Sequence, residues 1–391
     1  MDQETALDLV KKGSTVLLLD VPQFTLLGID TQMFSVGPMF KGIKMIPPGI
    51  HFIYYSSSNK EGNEFSPMVG FFLSTRSAEV VVRKWNHSEE RLVKISEEEE
   101  GRYAEGVRCL EFDSHLGPYA LNQYGEWKQL SNYITESLIP VMHEPIGGDI
   151  TIAYESGLIE VPKTAMEKQL IEQLKSSMFS KLEREEHYKH GCYYTPIPNS
   201  VNHKGISAEE LTAINLDKTK LLEKILIKDY GGEEDSLLGE LQVSFVAFMM
   251  GQSLEAFKQW KSFVILLFSC IEAPLKTRTR LFSKFIKVFF HQLNHGFQRN
   301  KNHSNSTGKE ISLFLDEAWF SKEIFLFRLC KDFFPLVLDS SVVDGDLLYW
   351  TRKLKVLLET ALGWDFADDE DDEPYPKYCT KVAKVKVELD K

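Results

Sequence analysis

Near residue 200 the hydrophobic spacing of this chain changes its period, and that change limits the fold more than any other feature. Before it, apolar residues come in short β-branched and aromatic runs such as TVLLLDV, IHFIYY, VGFFL and EVVVRKW. Gly28, Gly37-Pro38, Pro47-Pro48-Gly49 and Gly70 punctuate them. Short runs of this composition between turn formers read as strands. After it, apolar residues recur every three or four positions. Phe257, Trp260, Val264 and Leu267 would share one face of a helix. One element type cannot satisfy both patterns. The chain therefore reads as α+β and multidomain, with a β-rich, sandwich-like N-terminal domain followed by an all-α C-terminal domain.

The finer divisions follow from composition. Residues 1–150 form the β-rich part, opened by a short helix over 2–12 and flanked by a helix over 96–112. Ser96 would cap that helix, with Glu99 at the reciprocal position. Residues 151–205 read as a connector with an accessory helix. Residues 206–366 read as a bundle or solenoid of five to seven helices. Its first helix has Ser207 as cap, Glu210 three residues on and Gly231-Gly232 beyond its end; Gly251 separates the next two. KNHSNSTGK (301–309) reads as a polar loop. Residues 367–391 form an acidic linker and a strand-like tail.

Charge narrows the partners. With 57 acidic against 45 basic residues, the formal charge is −12. Phosphate contacts need clustered Lys and Arg, so direct nucleic-acid binding and an anionic membrane surface are not expected. Five scattered cysteines make no framework, and the longest uncharged apolar stretch falls short of a membrane span. These features point to a soluble protein of a reducing compartment.

Catalytic signatures are absent: there is no Gly-rich phosphate loop, no G-x-S-x-G and no H-E-x-x-H. No cofactor is implied. Lys44 and His51 flank Pro47-Pro48-Gly49 without an acidic or nucleophilic neighbour in sequence, so this stretch reads as a turn feeding a strand. HYKHGC places His187, His190 and Cys192 together, with His203 further on. A zinc site for a metal-dependent hydrolase or nuclease is the rival to a His-rich polar linker. His291 and His295 read as a helix-surface pair. Arg278, Arg280, Lys284 and Lys287 read as a solvated face balanced by acids elsewhere, and VSFVAFMM reads as core. The acidic stretch 365–373 reads as a solvated linker.

The tail alternates apolar and charged residues, with Val382, Val385, Val387 and Leu389 between Lys384, Lys386 and acids. Such a segment suits addition to a partner's sheet edge, and equally suits return to this chain's own β-rich domain.

VGPMFKGIKMIPPGIHFIYYSS (36–57), MVGFFLS (68–74), LGPY with W-x-x-L-S-N-Y-I (116–134), LLGELQVSFVAFMMGQSLEAFKQWK (237–261) and GWDF (363–366) resemble the signature blocks of the A-one cistron (AAR-type) pre-mRNA splicing factors. The resemblance implies an N-terminal β-rich domain, a helical domain like a VHS-type array, and no enzymatic activity. It implies an assembly chaperone of the U5 snRNP, acting in cytoplasm and nucleus. The partner would be the large U5 scaffold protein, at its RNase-H-like and Jab/MPN-like domains. Binding would be mutually exclusive with the U5 RNA helicase and would delay RNA binding. By the same resemblance, Val382, Lys384, Val385, Lys386, Val387 and Leu389 would form the partner-binding strand.

Overall fold

A computed structural model describes residues 3–143, 149–151, 192–198, 212, 215–303, 325–341 and 343–366 of the chain. The Ser207 cap, Glu210, the accessory helix and the tail lie outside the described residues.

The N-terminal part opens with α1 (Gln3–Lys12) and continues into nine strands. These are β1 (Ser14–Leu19), β2 (Leu26–Ile29), β3 (Gln32–Ser35), β4 (Gly42–Ile46), β5 (Gly49–Ser56), β6 (Val69–Thr75), β7 (Val80–Asn86), β8 (Arg91–Val93) and β9 (Leu116–Pro118). They make two sheets, one in the order β8-β7-β1-β4-β9 and one in the order β3-β2-β5-β6. The second sheet is wholly antiparallel. In the first, β1 runs parallel to β7 and β4 parallel to β9. The sequence pattern of a sandwich is thus realised. Val16, Leu18, Ile43 and Trp85 of one sheet meet Leu27, Ile53, Tyr55 and Phe71 of the other. The helix expected over 96–112 is α2 (Glu97–Arg108), capped by Ser96 Oγ, which accepts from the Glu99 N–H. Tyr103 and Val107 cover the outer face of the first sheet at Leu17, Leu19 and Val82.

Strand β5 departs from simple alternation. His51, Ile53 and Tyr55 face the sandwich interior, yet Phe52 and Tyr54 between them are also buried. Those two belong to a second core shared with the helices. With both faces covered, a strand reads as a continuous apolar run.

The helices are α3 (Tyr124–Ser131), α4 (Leu138–His143), α5 (Thr219–Tyr230), α6 (Glu234–Met249), α7 (Leu254–Phe268), α8 (Thr279–His303), α9 (Phe325–Leu338) and α10 (Gly345–Leu362). Six of those described follow residue 218, within the expected five to seven. Helix α5 ends on Gly231 with φ 61°, where only glycine avoids the left-handed penalty. Helices α6 and α7 lie either side of Gly251, and Ser253 caps the second. VSFVAFMM is buried throughout, and Phe257, Trp260, Val264 and Leu267 share the core. Helix α8 runs to His303, three residues into the stretch read as a polar loop; the remainder of that stretch lies outside the described residues.

Candidate functional site

Pro47 and Pro48 form a corner where the chain leaves one sheet and enters the other. Two residues without N–H groups cannot continue a ladder, so β4 ends there. Gly49, with φ 143°, lets β5 begin. His51 then fastens the corner from inside. It is fully buried; its Nδ1 lies 2.7 Å from Asp30 Oδ2 and its Nε2 2.6 Å from the Pro47 carbonyl oxygen. Asp30 also accepts from the Tyr119 hydroxyl at 2.6 Å and the Phe52 N–H at 3.0 Å. Burial pushes the Tyr119 hydroxyl far up, and Asp30 pushes it further, so it remains a donor. His51, Asp30 and Tyr119 contain the residue types of general acid–base chemistry, but a catalytic group must reach a substrate. His51 and Asp30 expose nothing to solvent. The corner is architecture, as the reading of a turn required. Lys44 beside it pairs with Asp113.

The junction between the sandwich and the helices is equally closed. Gln242 on α6 accepts from the Tyr133 N–H at 2.8 Å, while its amide donates to Asn132 Oδ1 at 2.8 Å. Gly239, one turn away, brings α6 so near that an added Cβ would lie 2.5 Å from the Tyr133 carbonyl oxygen. His295 on α8 meets Glu126 on α3 at 2.6 Å. This corrects the reading of His291 and His295 as a surface pair, because α3 packs over that side of α8. His295 is buried, while His291 is half-buried against the ring of Trp350.

The segment 192–198 is tied to the helices by one acid. Glu240, buried on α6, accepts from the Thr195 N–H and hydroxyl at 2.7 Å each. It also accepts from the Tyr230 hydroxyl at 2.6 Å and the Gln259 amide at 2.9 Å. Neighbouring Cys192 is buried in the helical core. His187, His190 and His203 lie outside the described residues. Among the described residues no group of three or more His, Cys, Asp or Glu is placed to hold a metal ion.

The basic stretch 278–287 divides into two parts. Arg278 binds Glu223 through two nitrogens at 2.7 Å and Glu234 at 3.0 Å, and Lys284 binds Asp235 at 2.6 Å. These are the balancing acids the sequence reading called for. Lys287 instead lies over the Trp350 ring, 5.4 Å from its centroid. Next to it a cleft of about 190 Å³ opens between α3 and α8, lined by Lys128, Gln129, Asn132, Tyr133, Lys287 and His291. Burial, with Lys287 and Lys353 nearby, lowers the His291 pKa to about 4, which leaves a neutral imidazole at neutral pH. The sequence offered no sign of this cleft, because its walls come from residues more than 150 positions apart.

The partner-strand residues Val382, Lys384, Val385, Lys386, Val387 and Leu389 lie outside the described residues. Among the described helices none is long and apolar enough to cross a membrane.

Comparison with known proteins matches both halves. Residues 12–143 match the AAR2 N-terminal domain and residues 194–367 the AAR2 C-terminal repeat region. The chain is 28% identical to the AAR2 homolog of Mus musculus over 403 residues, covering 95% of each. It is 29% identical to that of Homo sapiens with the same coverage. With the AAR2 homolog of Caenorhabditis elegans it shares 31% identity over 372 residues, covering 92% of this chain and 96% of the relative. A sandwich and a helical array fused through one core, each matched by its own family model, make this chain a member of the AAR2 family.

Proposed function

We propose that this chain is a non-enzymatic assembly factor of pre-mRNA splicing that binds the large scaffold protein of the U5 snRNP. Membership in the AAR2 family across both halves carries the reading and supports a splicing-related role. The partner surfaces are the scaffold's RNase-H-like and Jab/MPN-like domains, and occupation delays the U5 helicase and RNA until maturation. The protein works in cytoplasm and nucleus. Its acidic balance suits a factor that keeps RNA away instead of binding it. The tail from Val382 to Leu389, with its period of two, adds as a strand to the partner.

The test is a pull-down from cell extract with the full chain and with a truncation ending at Phe366. The full chain recovers the U5 scaffold protein without the helicase. The truncation loses that recovery, with circular dichroism checking that it remains folded. If the full chain recovers no splicing component, the proposal fails. Recovery unchanged by truncation removes the tail from the interface and leaves the rest standing.

A further inference from the structure

Several cations of the helical array have an acid within reach: Arg278 with Glu223 and Glu234, Lys284 with Asp235, Lys276 with Glu272, Lys355 with Glu359. One group departs from this. Lys287 on α8 and Lys353 on α10 both stand over the Trp350 ring, at 5.4 and 5.0 Å, and Lys353 also stands 4.7 Å over Tyr349. Lys128 on α3 rests 5.7 Å over Tyr124. All three lysines are exposed, and none has a carboxylate partner among the described residues. They are joined by Arg352, next to Lys353 on the exposed side of α10. In a chain of net charge −12, these four cations lie together on one track.

The aromatic rings select the kind of ligand. Trp350 is already engaged by two ammonium groups and by His291, which crowd it against a stacked base. The ammonium groups themselves, held out over rings, are positioned to receive carboxylates. The adjoining cleft of about 190 Å³ has room for acidic side chains.

The chain carries such a ligand. Asp368, Asp369, Glu370, Asp371, Asp372 and Glu373 are consecutive, and Phe366, two residues earlier, is anchored on α9 against Phe327 and Phe334. Helix α10 packs against both α9 and α8. Neighbouring helices lie about 8–10 Å apart. Seven extended residues beyond Phe366 span roughly 23 Å at about 3.3 Å each. That is more than twice the spacing of neighbouring helices. We propose that the track formed by Lys353, Arg352, Lys287 and Lys128 is the docking site for this chain's own acidic segment, Asp368–Glu373.

The experiment uses full-length protein throughout. One variant carries amides at 368–373, with each Asp changed to Asn and each Glu to Gln. The probe is a fluorescently labelled peptide of residues 367–376, followed by anisotropy. In the wild type the resident segment competes, so the amide variant binds the peptide at least ten-fold more tightly. Adding Lys287→Glu and Lys353→Glu to that variant removes the binding. Carbodiimide treatment of dilute wild-type protein, which needs no substitution, joins the acidic segment to Lys353 or Lys287 within one molecule. Equal peptide affinity for wild type and amide variant would mean an open track that serves another protein's acidic segment, and would overturn the proposal. Absence of both peptide binding and intramolecular crosslinks would overturn it as well.

Discussion

His51 and Asp30 form a buried pair in which each imidazole nitrogen lies within hydrogen-bond distance of an oxygen. Nδ1 faces the Asp30 carboxylate at 2.7 Å, and Nε2 faces the Pro47 carbonyl oxygen at 2.6 Å. The carbonyl oxygen cannot donate, so beside an ionised Asp30 both ring nitrogens donate and the ring is an imidazolium. Burial alone would lower the His51 pKa. The charge of Asp30, the hydrogen bond to it and that to the Pro47 carbonyl oxygen outweigh burial and leave the value raised above that of a free histidine.

A pH dependence with a fixed sign follows. Because the folded value is the higher one, the pair's contribution is complete below the unfolded histidine value of about 6.5. It is lost as pH rises through the raised folded value. The stability difference between wild type and His51→Gln, measured by urea unfolding, should therefore shrink as pH increases above about 6.5. Asp30→Asn removes the carboxylate that outweighs burial, so the ring goes neutral, and the buried donors left without that acceptor should cost about 1–3 kcal/mol at neutral pH. A His51→Gln difference that stays constant with pH would show that the ring is neutral.

Glu240 predicts a second effect, local before it is global. Its carboxylate accepts four hydrogen bonds from Thr195, Tyr230 and Gln259. Glu240→Gln sets an NH₂ group either against the Thr195 N–H and the Gln259 amide, which can only donate, or against the Thr195 and Tyr230 hydroxyls, which must then turn their protons elsewhere. A loss of about 1–3 kcal/mol is expected for each buried group left unsatisfied. Limited proteolysis should cut near residues 192–198 sooner in the variant. Unchanged cleavage there would mean that this acid does not hold the segment.

Gly239 sets the distance between α6 and the end of the sandwich part. An added Cβ would lie 2.5 Å from the Tyr133 carbonyl oxygen and 2.8 Å from a Leu138 methyl. The side chain of Leu138 can move, but the backbone at Tyr133 is tied to Gln242. Gly239→Ala should destabilise by about 1–3 kcal/mol through overpacking, even though alanine favours helix. Thermal unfolding should be compared with that of Gly125→Ala, where an added Cβ meets nothing within 4 Å. Equal melting temperatures for the two variants would refute the close approach.

Local features were legible in the sequence wherever their cause lies within about one turn of chain. Ser96 caps α2 because its hydroxyl reaches Glu99, three residues on. Gly231 ends α5, and the period of Phe257, Trp260, Val264 and Leu267 places them in the core. The division into strands and helices follows from the same short-range periodicities, because repeated apolar side chains must reach one side of an element.

Tertiary structure decided what the named side chains do. His51 had no acidic neighbour in sequence, and its partner Asp30 is 21 residues away on another strand connection. Glu126 reaches His295 across 169 residues, which turned an apparent surface histidine into a buried one. Strand β5 hid its role in another way. Both of its faces are covered, so no polar alternation marked which side met the helices. Hydrogen bonds and ion pairs act over a few ångströms, and sequence separation carries no information about that distance. The sequence alone therefore determined the elements and their caps, while the fold determined the pairs, the sealed corner and the lysine track.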